Sequence, residues 1–455
     1  MTTKQTLRLI KAYESRNVTF IEPDGSWPIV WDRAQGVDVW DAEGRKYLDL
    51  TAAFGVAAAG HANARVVKAG QRQMTRLLHA MGDVHPHALK ARLACELSRL
   101  TFERWSKPGK IQNSKFKSRI GKTIFGNSGF EAVEAALKTA VLATGRSGVI
   151  AFTGGYHGLG YGALNATYRN HFREPFQSQL RAFGRFAPFP PCGSCNCKPT
   201  PGTKGCGQLP VIESSLREIF RRQKIGAVLV EPVQARGGIH VPDREFLPLL
   251  RRLCDEHDAL LILDEIYTGF GRTGEWFACE HSQVTPDLVC LGKALTGGFP
   301  LSACVGRADL MDHAWPQSNG EAIHTSTFLG HPVGCAMALA QLKELRVRRL
   351  PERSKAFGVF LLDQLETLEV GGDYQILVRG LGLMAGVELR HHDGSPAMLE
   401  ALGIIKRLLQ RGFVLLPEGE HSNIISFTPP LTISKPQLRR AVRALQAELA
   451  NLTPP

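Results

Sequence analysis

Short apolar runs alternate with longer amphipathic stretches between residues 120 and 305, and this alternation limits the possible folds more than any other feature of the chain. The apolar runs have the length of strands, whereas residues 131–144 and 243–258 carry apolar side chains at helical spacing. Near-continuous apolar strands that alternate with helices are typical of a mostly parallel sheet covered on both faces. We therefore predict an α/β protein with strands at residues 123–125, 148–152, 227–230, 259–263 and 288–291.

The two ends of the chain have a different pattern, which indicates a smaller α+β domain. The pattern predicts a hairpin at 37–41 and 46–50, helices at 396–411 and 435–452, and strands at 413–416 and 423–427. Ser434 is the expected cap of the last helix, with Pro436 in its first turn. We expect residues 1–60 to join this small domain with residues 336–455, and residues 61–335 to form the large domain.

Composition favours an ordinary globular protein. Of the 455 residues, 44% are hydrophobic and 21% are charged, and no apolar stretch reaches the ~18 residues of a membrane span. The net charge of +13 is dispersed, and its densest patch, residues 106–122, has the composition of a solvated loop. We expect no nucleic-acid partner and no integral membrane segment. Because the first residues lack an apolar segment of signal-peptide length, we expect a cytoplasmic location.

Four of the ten cysteines, which we expect to be reduced, form one cluster in a loop rich in proline and glycine: Cys192, Cys195, Cys197 and Cys206. Their spacing makes them weak candidates for a zinc or iron–sulfur site, since it matches no standard metal-binding knuckle. The alternative is a long loop whose thiols pack internally or contact another subunit. We expect no metal.

Two of the predicted strands are followed by residues that suit a flat, anionic ligand. Residues 125–130, Phe-Gly-Asn-Ser-Gly-Phe, lead directly into a helix, and the amides and dipole of a helix N-terminus favour an anion such as phosphate. The alternative there is an ordinary helix cap by Asn127 or Ser128. In residues 153–158, Tyr156 and His157 are flanked by glycines, so that the aromatic ring could lie against a flat ligand or could simply cover the surface.

Two further strands end in charged residues. Asp264 directly follows one apolar run, and Lys293 lies two residues after the next, in Leu-Gly-Lys-Ala-Leu-Thr-Gly-Gly. Because ligands bind beyond the carboxyl ends of such strands, both side chains should face one crevice. They could form a buried salt bridge, or both could face a cofactor. Pyridoxal phosphate requires an amine for its aldehyde, a carboxylate for its ring nitrogen and an anion site for its phosphate, and the sequence offers a candidate for each.

A rival motif is Gly-Phe-Gly-Arg-Thr-Gly at residues 269–274, which fits the dinucleotide-binding pattern G-x-G-x-x-G. That pattern should directly follow a strand and open a helix. Here the apolar run ends at Leu263, and residues 275–281 show no helix start. We therefore do not expect a nicotinamide site.

Taken together, the motifs resemble those of the class III, or ω-amino acid type, pyridoxal-phosphate-dependent aminotransferases of fold type I. The similarity extends from about Val37 to about Leu431, in the order and spacing of that family. The segments that carry it are 127–138, 156–158, 231–234, 264–274, 292–298 and 324–332.

The resemblance implies a role for each matching residue. Lys293 would form a Schiff base with the cofactor and Asp264 would pair with its ring nitrogen, so these are the expected catalytic residues. Tyr156 would stack on the ring, and Thr327 would contact the phosphate of the neighbouring subunit in a homodimer with shared active sites. The full expected cofactor-binding set is Ser128, Gly129, Phe130, Tyr156, His157, Glu231, Asp264, Ile266, Tyr267, Lys293 and Thr327.

Four positions depart from the family pattern. Phe130 replaces a common threonine, and Tyr267 replaces a common glutamine that meets the ring oxygen of the cofactor. Arg236 stands where a glutamate is usual, and Ser426 stands where an arginine often binds the substrate carboxylate. Our hypothesis is that Arg236 binds a substrate carboxylate, or that the amine donor has no carboxylate near its reacting end.

The expected function is transfer of an amino group from an amine or amino acid to a 2-oxo acid or an aldehyde. A mutase, racemase or decarboxylase would share the same cofactor residues and stays an alternative. A metal-binding protein that uses the cysteine loop and is not an enzyme is a further alternative, against which Lys293 and Asp264 argue.

Overall fold

The computed structural model describes residues 1–106, 118–190 and 207–452. The four clustered cysteines, Cys192, Cys195, Cys197 and Cys206, and most of the basic patch lie outside the described residues.

The strands of the described residues, numbered in chain order, are short and fall into three sheets. They are β1 (Trp31–Gln35), β2 (Asp38–Asp41), β3 (Lys46–Asp49), β4 (Gly121–Gly126), β5 (Gly148–Phe152), β6 (Gly184–Ala187), β7 (Ile225–Val230), β8 (Leu260–Asp264), β9 (Leu288–Leu291), β10 (Ser302–Arg307), β11 (Tyr374–Gly380), β12 (Ala385–His391), β13 (Phe413–Val414), β14 (Leu416–Glu418) and β15 (Ile424–Phe427).

The helices connect and cover these strands. They are α1 (Thr3–Tyr13), α2 (Ala52–Gly55), α3 (Ala64–Arg76), α4 (Ala88–Leu100), α5 (Phe102–Trp105), α6 (Gly129–Thr144), α7 (Tyr161–Ala166), α8 (Asn170–Arg173), α9 (Leu209–Arg222), α10 (Phe246–Glu256), α11 (Ala308–Ala314), α12 (Pro332–Val347), α13 (Leu350–Leu365), α14 (Met398–Gln410) and α15 (Lys435–Ala450). Short 3₁₀ helices cover Glu174–Gln179, Ala278–Ser282 and Lys293–Leu295.

The central sheet has seven strands in the order β4-β10-β9-β8-β7-β5-β6. β10 is antiparallel to both of its neighbours, and the remaining pairs are parallel. β4 therefore runs in the same direction as β9, and the carboxyl ends of β4, β5, β7, β8 and β9 all lie at one edge. The predicted mostly parallel α/β sheet is confirmed, and its geometry brings the residues that follow these strands together.

Both faces of this sheet are buried, as the unbroken apolar runs predicted. Along β8, Leu261 and Leu263 belong to a large hydrophobic core that includes α10. The intervening Ile262 belongs to a second core, formed with the alanine-rich face of α6. Because side chains alternate between the faces of a strand, the two cores lie on opposite sides of the sheet.

Both ends of the chain contribute to the smaller sheets. One has the order β1-β2-β3-β13, in which β13 pairs with β3 in parallel, and the other has the order β11-β12-β15-β14. The predicted hairpin is confirmed, because Asp38 of β2 faces Leu48 of β3. The predicted strand 413–416 is instead divided between the two sheets, with Leu415 as the crossing point.

The last helix begins as its sequence predicted. The amide of Ser434 donates to Oε1 of Gln437 over 2.9 Å, and Pro436 lies in the first turn. The reciprocal bond, from the Gln437 amide to the Ser434 hydroxyl, completes a capping box. Among the described residues, no helix is long and apolar enough to cross a membrane.

Candidate active site

A cavity of about 440 Å³ opens at the carboxyl edge of the central sheet. It is bordered by residues that follow β4, β5, β7, β8 and β9. Its lining consists of Gly129, Phe130, Tyr156, His157, Gly158, Leu159, Glu231, Ala235, Arg236, Asp264, Ile266, Tyr267 and Lys293. Most of the predicted site residues therefore meet in one place.

Lys293 lies two residues after the end of β9, where the chain turns into a 3₁₀ helix. Its φ of 36° lies in the left-handed region, which a residue with a side chain rarely adopts without surrounding support. Its Nζ is 4.4 Å from the centroid of the Tyr267 ring. Burial lowers the pKa of Lys293 from its ordinary value, although the negative charges of Asp264 and Glu231 oppose this effect. Such an amine loses its proton more readily than a surface lysine does.

Asp264 is the last residue of β8 and is only 4% exposed. Its Oδ2 is 2.8 Å from Nδ1 of His157, and its Oδ1 accepts the amide of Ile266 over 3.1 Å. Within the described part of the chain, no ion pair joins Asp264 to Lys293, so the buried salt bridge considered from sequence is not formed. Instead, the carboxylate is oriented by a histidine from the loop after β5.

The N-terminus of α6 offers an anion site. Glu131 accepts the amide of Ser128 over 2.8 Å, and also the amide of Asn127. Ser128 and Glu131 are placed as a capping box, so the cap that the sequence suggested is present, and the buried Ser128 hydroxyl donates to no acceptor among the described residues. The first amides of a helix also lack partners within the helix and point outward. This end of the cavity therefore has the unsatisfied donors that a phosphate group would use.

The loop after β5 passes so close to α6 that a glycine is required. Gly158 has a φ of 110°, and a Cβ there would lie 2.4 Å from Cβ of Phe130. The large side chain of Phe130, at the position where the family often has threonine, therefore borders this loop. The close approach brings Tyr156 and His157 to the same cavity as the start of α6.

Glu231 holds two of these loops together. Its carboxylate accepts the amide of Tyr156 over 2.9 Å and the amide of Ala235 over 3.1 Å. Burial raises the pKa of Glu231 to about 7. Because its oxygens are used by backbone amides, Glu231 positions the ring of Tyr156 and the loop that carries Arg236.

Ile266 and Tyr267 form the wall next to Lys293. Ile266 fills the space beside Gly129, where a Cβ would lie 3.1 Å from Cδ1 of the isoleucine. The Tyr267 hydroxyl is 3.2 Å from Oγ1 of Thr428, and that threonine donates to the carbonyl of Thr51. Tyr267 is therefore linked through Thr428 to the segment that carries Thr51, which fixes its phenol in the wall of the cavity.

The structure also brings Glu418, which the sequence motifs did not single out, next to a predicted site residue. Glu418 lies on β14, and its Oε2 is 3.7 Å from Nε of Arg236 in the loop after β7. The guanidinium carbon of Arg236 is 5.5 Å from the centroid of the Tyr156 ring. Burial raises the pKa of Glu418 to about 7, although the positive charges of Arg236 and Lys293 oppose this effect. No local pattern singles out Glu418, because its partner comes from a distant part of the chain.

Three other predicted features lie away from the cavity lining. Thr327 is exposed on the surface of the chain. Ser426 lies in β15 and donates to the carbonyl of Leu416. Arg272, within the G-x-G-x-x-G motif, donates to the carbonyls of Leu383 and Pro429, so the motif forms a structural loop against the C-terminal part of the chain.

The family model for class-III aminotransferases matches residues 21–449. The chain is 36% identical over 424 residues to the 5-aminovalerate aminotransferase of Pseudomonas aeruginosa, covering 92% of each chain. It is 35% identical to the putrescine aminotransferase of Pectobacterium atrosepticum, covering 94% of this chain and 84% of that protein.

Solved transaminases have the same fold. An (S)-enantioselective ω-transaminase from Thermomicrobium roseum superposes with a TM-score of 0.85 at 28% identity, covering 99% of this chain and 98% of that one. A PLP-bound amine transaminase from an uncultivated Pseudomonas species gives a TM-score of 0.82 at 28% identity, covering 96% and 98%.

The chain belongs to the class-III aminotransferase family. It is a pyridoxal-phosphate-dependent aminotransferase with the fold of that cofactor's transaminases, as the motifs predicted. The residues in and beside the cavity fit the cofactor: the buried hydroxyl of Ser128, which donates to no acceptor among the described residues, suits the phosphate, and the oriented carboxylate of Asp264 suits a protonated ring nitrogen.

Proposed function

We propose that Lys293 binds pyridoxal phosphate through its amine and that the enzyme transfers a terminal amino group to a 2-oxo acid. The observation that carries the proposal is the convergence of three groups on one cavity. Lys293 and Asp264 follow the adjacent strands β9 and β8, and the N-terminus of α6 borders the same space. An amine, a carboxylate and an anion site are the three groups that this cofactor requires.

Each residue would have a distinct task. When bound, pyridoxal phosphate supplies a ring that withdraws electrons from the amine-bearing carbon of the substrate. Asp264 would keep a proton on the ring nitrogen, and His157 fixes the orientation of that carboxylate. Ser128 and the first amides of α6 would bind the phosphate. Lys293, whose pKa is lowered by burial, would take the proton from the substrate carbon and return it at another position.

The donor that we propose carries its reacting amine at the end of a carbon chain. The relatives named above act, by their names, on 5-aminovalerate and putrescine, and a third is the 4-aminobutyrate aminotransferase of Escherichia coli, at 34% identity over 92% of each chain. These three compounds share a primary amine on a terminal carbon. Arg236 lines the cavity and could bind the carboxylate of an amino acid donor or of the 2-oxo acid acceptor.

The proposal is tested by steady-state assays of the purified enzyme with pyridoxal phosphate and 2-oxoglutarate or pyruvate as acceptor. We expect 5-aminovalerate, putrescine or 4-aminobutyrate to be used with a higher kcat/KM than alanine, whose amine is not terminal. Lys293→Ala should abolish transfer, and the exposed Lys11→Ala should not. Preference for alanine over all three terminal amines would refute the proposed donor class.

We also propose a homodimer in which Thr327 contributes to the partner's phosphate site. Support comes from four exposed apolar residues, of which Phe328 is next to Thr327 in the chain and Leu78, Met81 and Val84 lie in one other segment. The segment 79–84 contacts the segment 325–328, since the rings of His79 and Phe328 lie 5.4 Å apart. Several exposed large apolar side chains on two contacting segments are typical of protein interfaces.

Subunit mixing tests the shared site. If Thr327 acts in trans, a mixture of Lys293→Ala and Thr327→Ala subunits forms hybrid dimers in which one site has both native residues. The mixture should then be more active than the sum of its two parents. A monomeric enzyme in light scattering, or strictly additive activity after mixing, would contradict the proposal.

We further propose that the enzyme is located in the cytoplasm. The six cysteines among the described residues are free thiols, which suits a reducing compartment. Cell fractionation followed by immunoblotting tests it, and recovery of the protein outside the cytoplasmic fraction would contradict it.

A further inference from the structure

We infer that a groove beside α15 binds a compact molecule with a chain of phosphate groups, such as a nucleoside triphosphate or an inorganic polyphosphate. The groove is lined by residues of α15, of β3 and β13, and of the turn that joins α14 to β13. We call it the basic groove, because five cationic residues from three separate segments border it: Lys46, Arg411, Arg439, Arg440 and Arg443.

The basic groove has the size of a site for a small molecule. It consists of two adjoining cavities of about 460 and 390 Å³, and Arg411, Phe413 and Arg440 line both of them. Sites for small ligands have volumes of ~300–1,000 Å³. A molecule with two or three linked phosphate groups therefore fits this space.

Three arginines of the basic groove have no acidic partner. Within the part of the chain that the structure describes, no carboxylate forms an ion pair with Arg439, Arg440 or Arg443, although all three are exposed. On α9, by contrast, the exposed Arg221 and Arg222 both pair with a glutamate of the same helix. A concave surface with uncompensated positive charge raises the local concentration of anions. The basic groove is therefore suited to attract a ligand with several negative charges.

The arrangement of these charges is unfavourable for α15 alone. Lys435, Arg439 and Arg443 follow one another at a spacing of four residues, which places like charges on one face of the helix. The first turn of α15 contains no acidic residue that would offset them. Because a bound anion would remove this repulsion, its binding should stabilise the folded protein.

Two of the arginines are held in place by the protein. Nη1 of Arg411 donates to the Ala444 carbonyl over 3.3 Å and to Oε1 of Glu448 over 2.8 Å. The guanidinium carbon of Arg440 lies 5.5 Å from the centroid of the Phe413 ring. A guanidinium group that is already oriented binds two phosphate oxygens with little loss of side-chain freedom. Several such groups around one space favour a chain of phosphates over a single carboxylate.

The basic groove is distinct from the active site. It shares no lining residue with the cavity that contains Lys293, so both can be occupied at once. A nucleic acid would need a basic surface that follows its backbone over several nucleotides. The unpaired arginines instead lie around one concavity, which favours the smaller ligand.

Calorimetric titration of the cofactor-loaded enzyme tests the site, because the cofactor then fills its own phosphate site. We expect tripolyphosphate to bind at one site per chain, more tightly than pyrophosphate, and pyrophosphate more tightly than phosphate at equal ionic strength. If ATP binds more tightly than tripolyphosphate, the ligand is a nucleotide, and if it does not, the phosphate chain alone is recognised. A single-stranded RNA that binds more tightly than all of these would overturn the assignment to a small anion.

The variant Arg439→Gln/Arg443→Gln removes two of the unpaired arginines. Since loss of one hydrogen bond to a charged group weakens binding about 10-fold or more, this variant should bind tripolyphosphate about 100-fold more weakly. Arg221→Gln/Arg222→Gln is the matched control, because it removes the same charge from the exposed surface of α9. An unchanged affinity in the first variant, or an equal loss in the control, would overturn the inference.

A footprint on the wild-type enzyme makes the test independent of how the variants fold. Phenylglyoxal modifies accessible arginines, and mass spectrometry of the digested protein locates the modified residues. Tripolyphosphate should reduce the modification of Arg439, Arg440 and Arg443 several-fold and leave that of Arg221 and Arg222 unchanged. Equal modification of the α15 arginines with and without tripolyphosphate would also overturn the inference.

Discussion

The contact between His157 and Asp264 gives the sharpest test of how the site is built. Both side chains are almost fully buried, at 1% and 4% exposure, and their Nδ1 and Oδ2 atoms are 2.8 Å apart. His157→Ala leaves the carboxylate with the Ile266 amide as its other hydrogen-bond donor among the described residues. Loss of one hydrogen bond to a buried charged group costs about 1.5–3 kcal/mol, and we expect the cofactor-free protein to lose this much free energy of unfolding.

A double-mutant cycle separates this interaction from other effects of the substitution. Asp264→Asn removes the charge, so a histidine deletion should cost less in that background. We expect a coupling energy of about 1–3 kcal/mol from urea denaturation of the wild type, His157→Ala, Asp264→Asn and the double variant. His157→Asn, whose amide can donate from nearly the same place as Nδ1, should recover part of the loss. A coupling energy below about 0.5 kcal/mol, no larger than that of independent sites, would refute the interaction.

Three further predictions concern the same region. Gly158→Ala should lower Tm more than Gly394→Ala. Both positions have positive φ, but only at Gly158 would the new Cβ clash, at 2.4 Å, with the side chain of Phe130. Equal decreases in Tm would show that the close approach of Gly158 to Phe130 does not limit the side chain at this position. Burial raises the pKa of Glu265 to about 7 from 4.5, so its contribution to stability is full below about pH 4.5 and is lost as the pH rises through 7. Glu265→Gln should flatten that part of the stability profile in pH-dependent denaturation, and an unchanged profile would contradict the shift. The negative charge of Glu418 raises the pKa of Lys293, so Glu418→Gln should let Lys293 of the cofactor-free enzyme react with an aldehyde at lower pH. Reductive trapping followed by mass spectrometry measures this pH dependence. A shift of the reaction to higher pH would contradict the expected direction of the pKa change.

The apolar runs made most of the central sheet predictable, because strands buried on both faces need little polar content. β10 was not predicted, although it lies between β4 and β9. Its segment, Ser-Ala-Cys-Val-Gly-Arg, is rich in small residues that have low strand propensity. Gly306 is needed there by packing, since a Cβ would lie 2.4 Å from Leu288. β6 was missed for a different reason: it has only four residues and lies at the edge of the sheet.

The site was predictable wherever a residue directly follows a strand. Lys293 and Asp264 could be placed together because parallel neighbours end at the same edge. The contact between His157 and Asp264 could not be predicted, since it depends on how the loop after β5 folds back. Glu418 could not be predicted either, because β14 belongs to a separate sheet, and no local pattern encodes the packing that brings Glu418 next to Arg236.

The most direct test of the central claim is to identify the residue that carries the cofactor. The purified enzyme is loaded with pyridoxal phosphate, reduced with borohydride and digested, and the peptides are analysed by mass spectrometry. We predict a single pyridoxyl modification on Lys293, and its loss together with the visible absorption band of the cofactor in Lys293→Ala. A modification on another lysine, or an unchanged band in the variant, would contradict the assignment of this cavity as the active site.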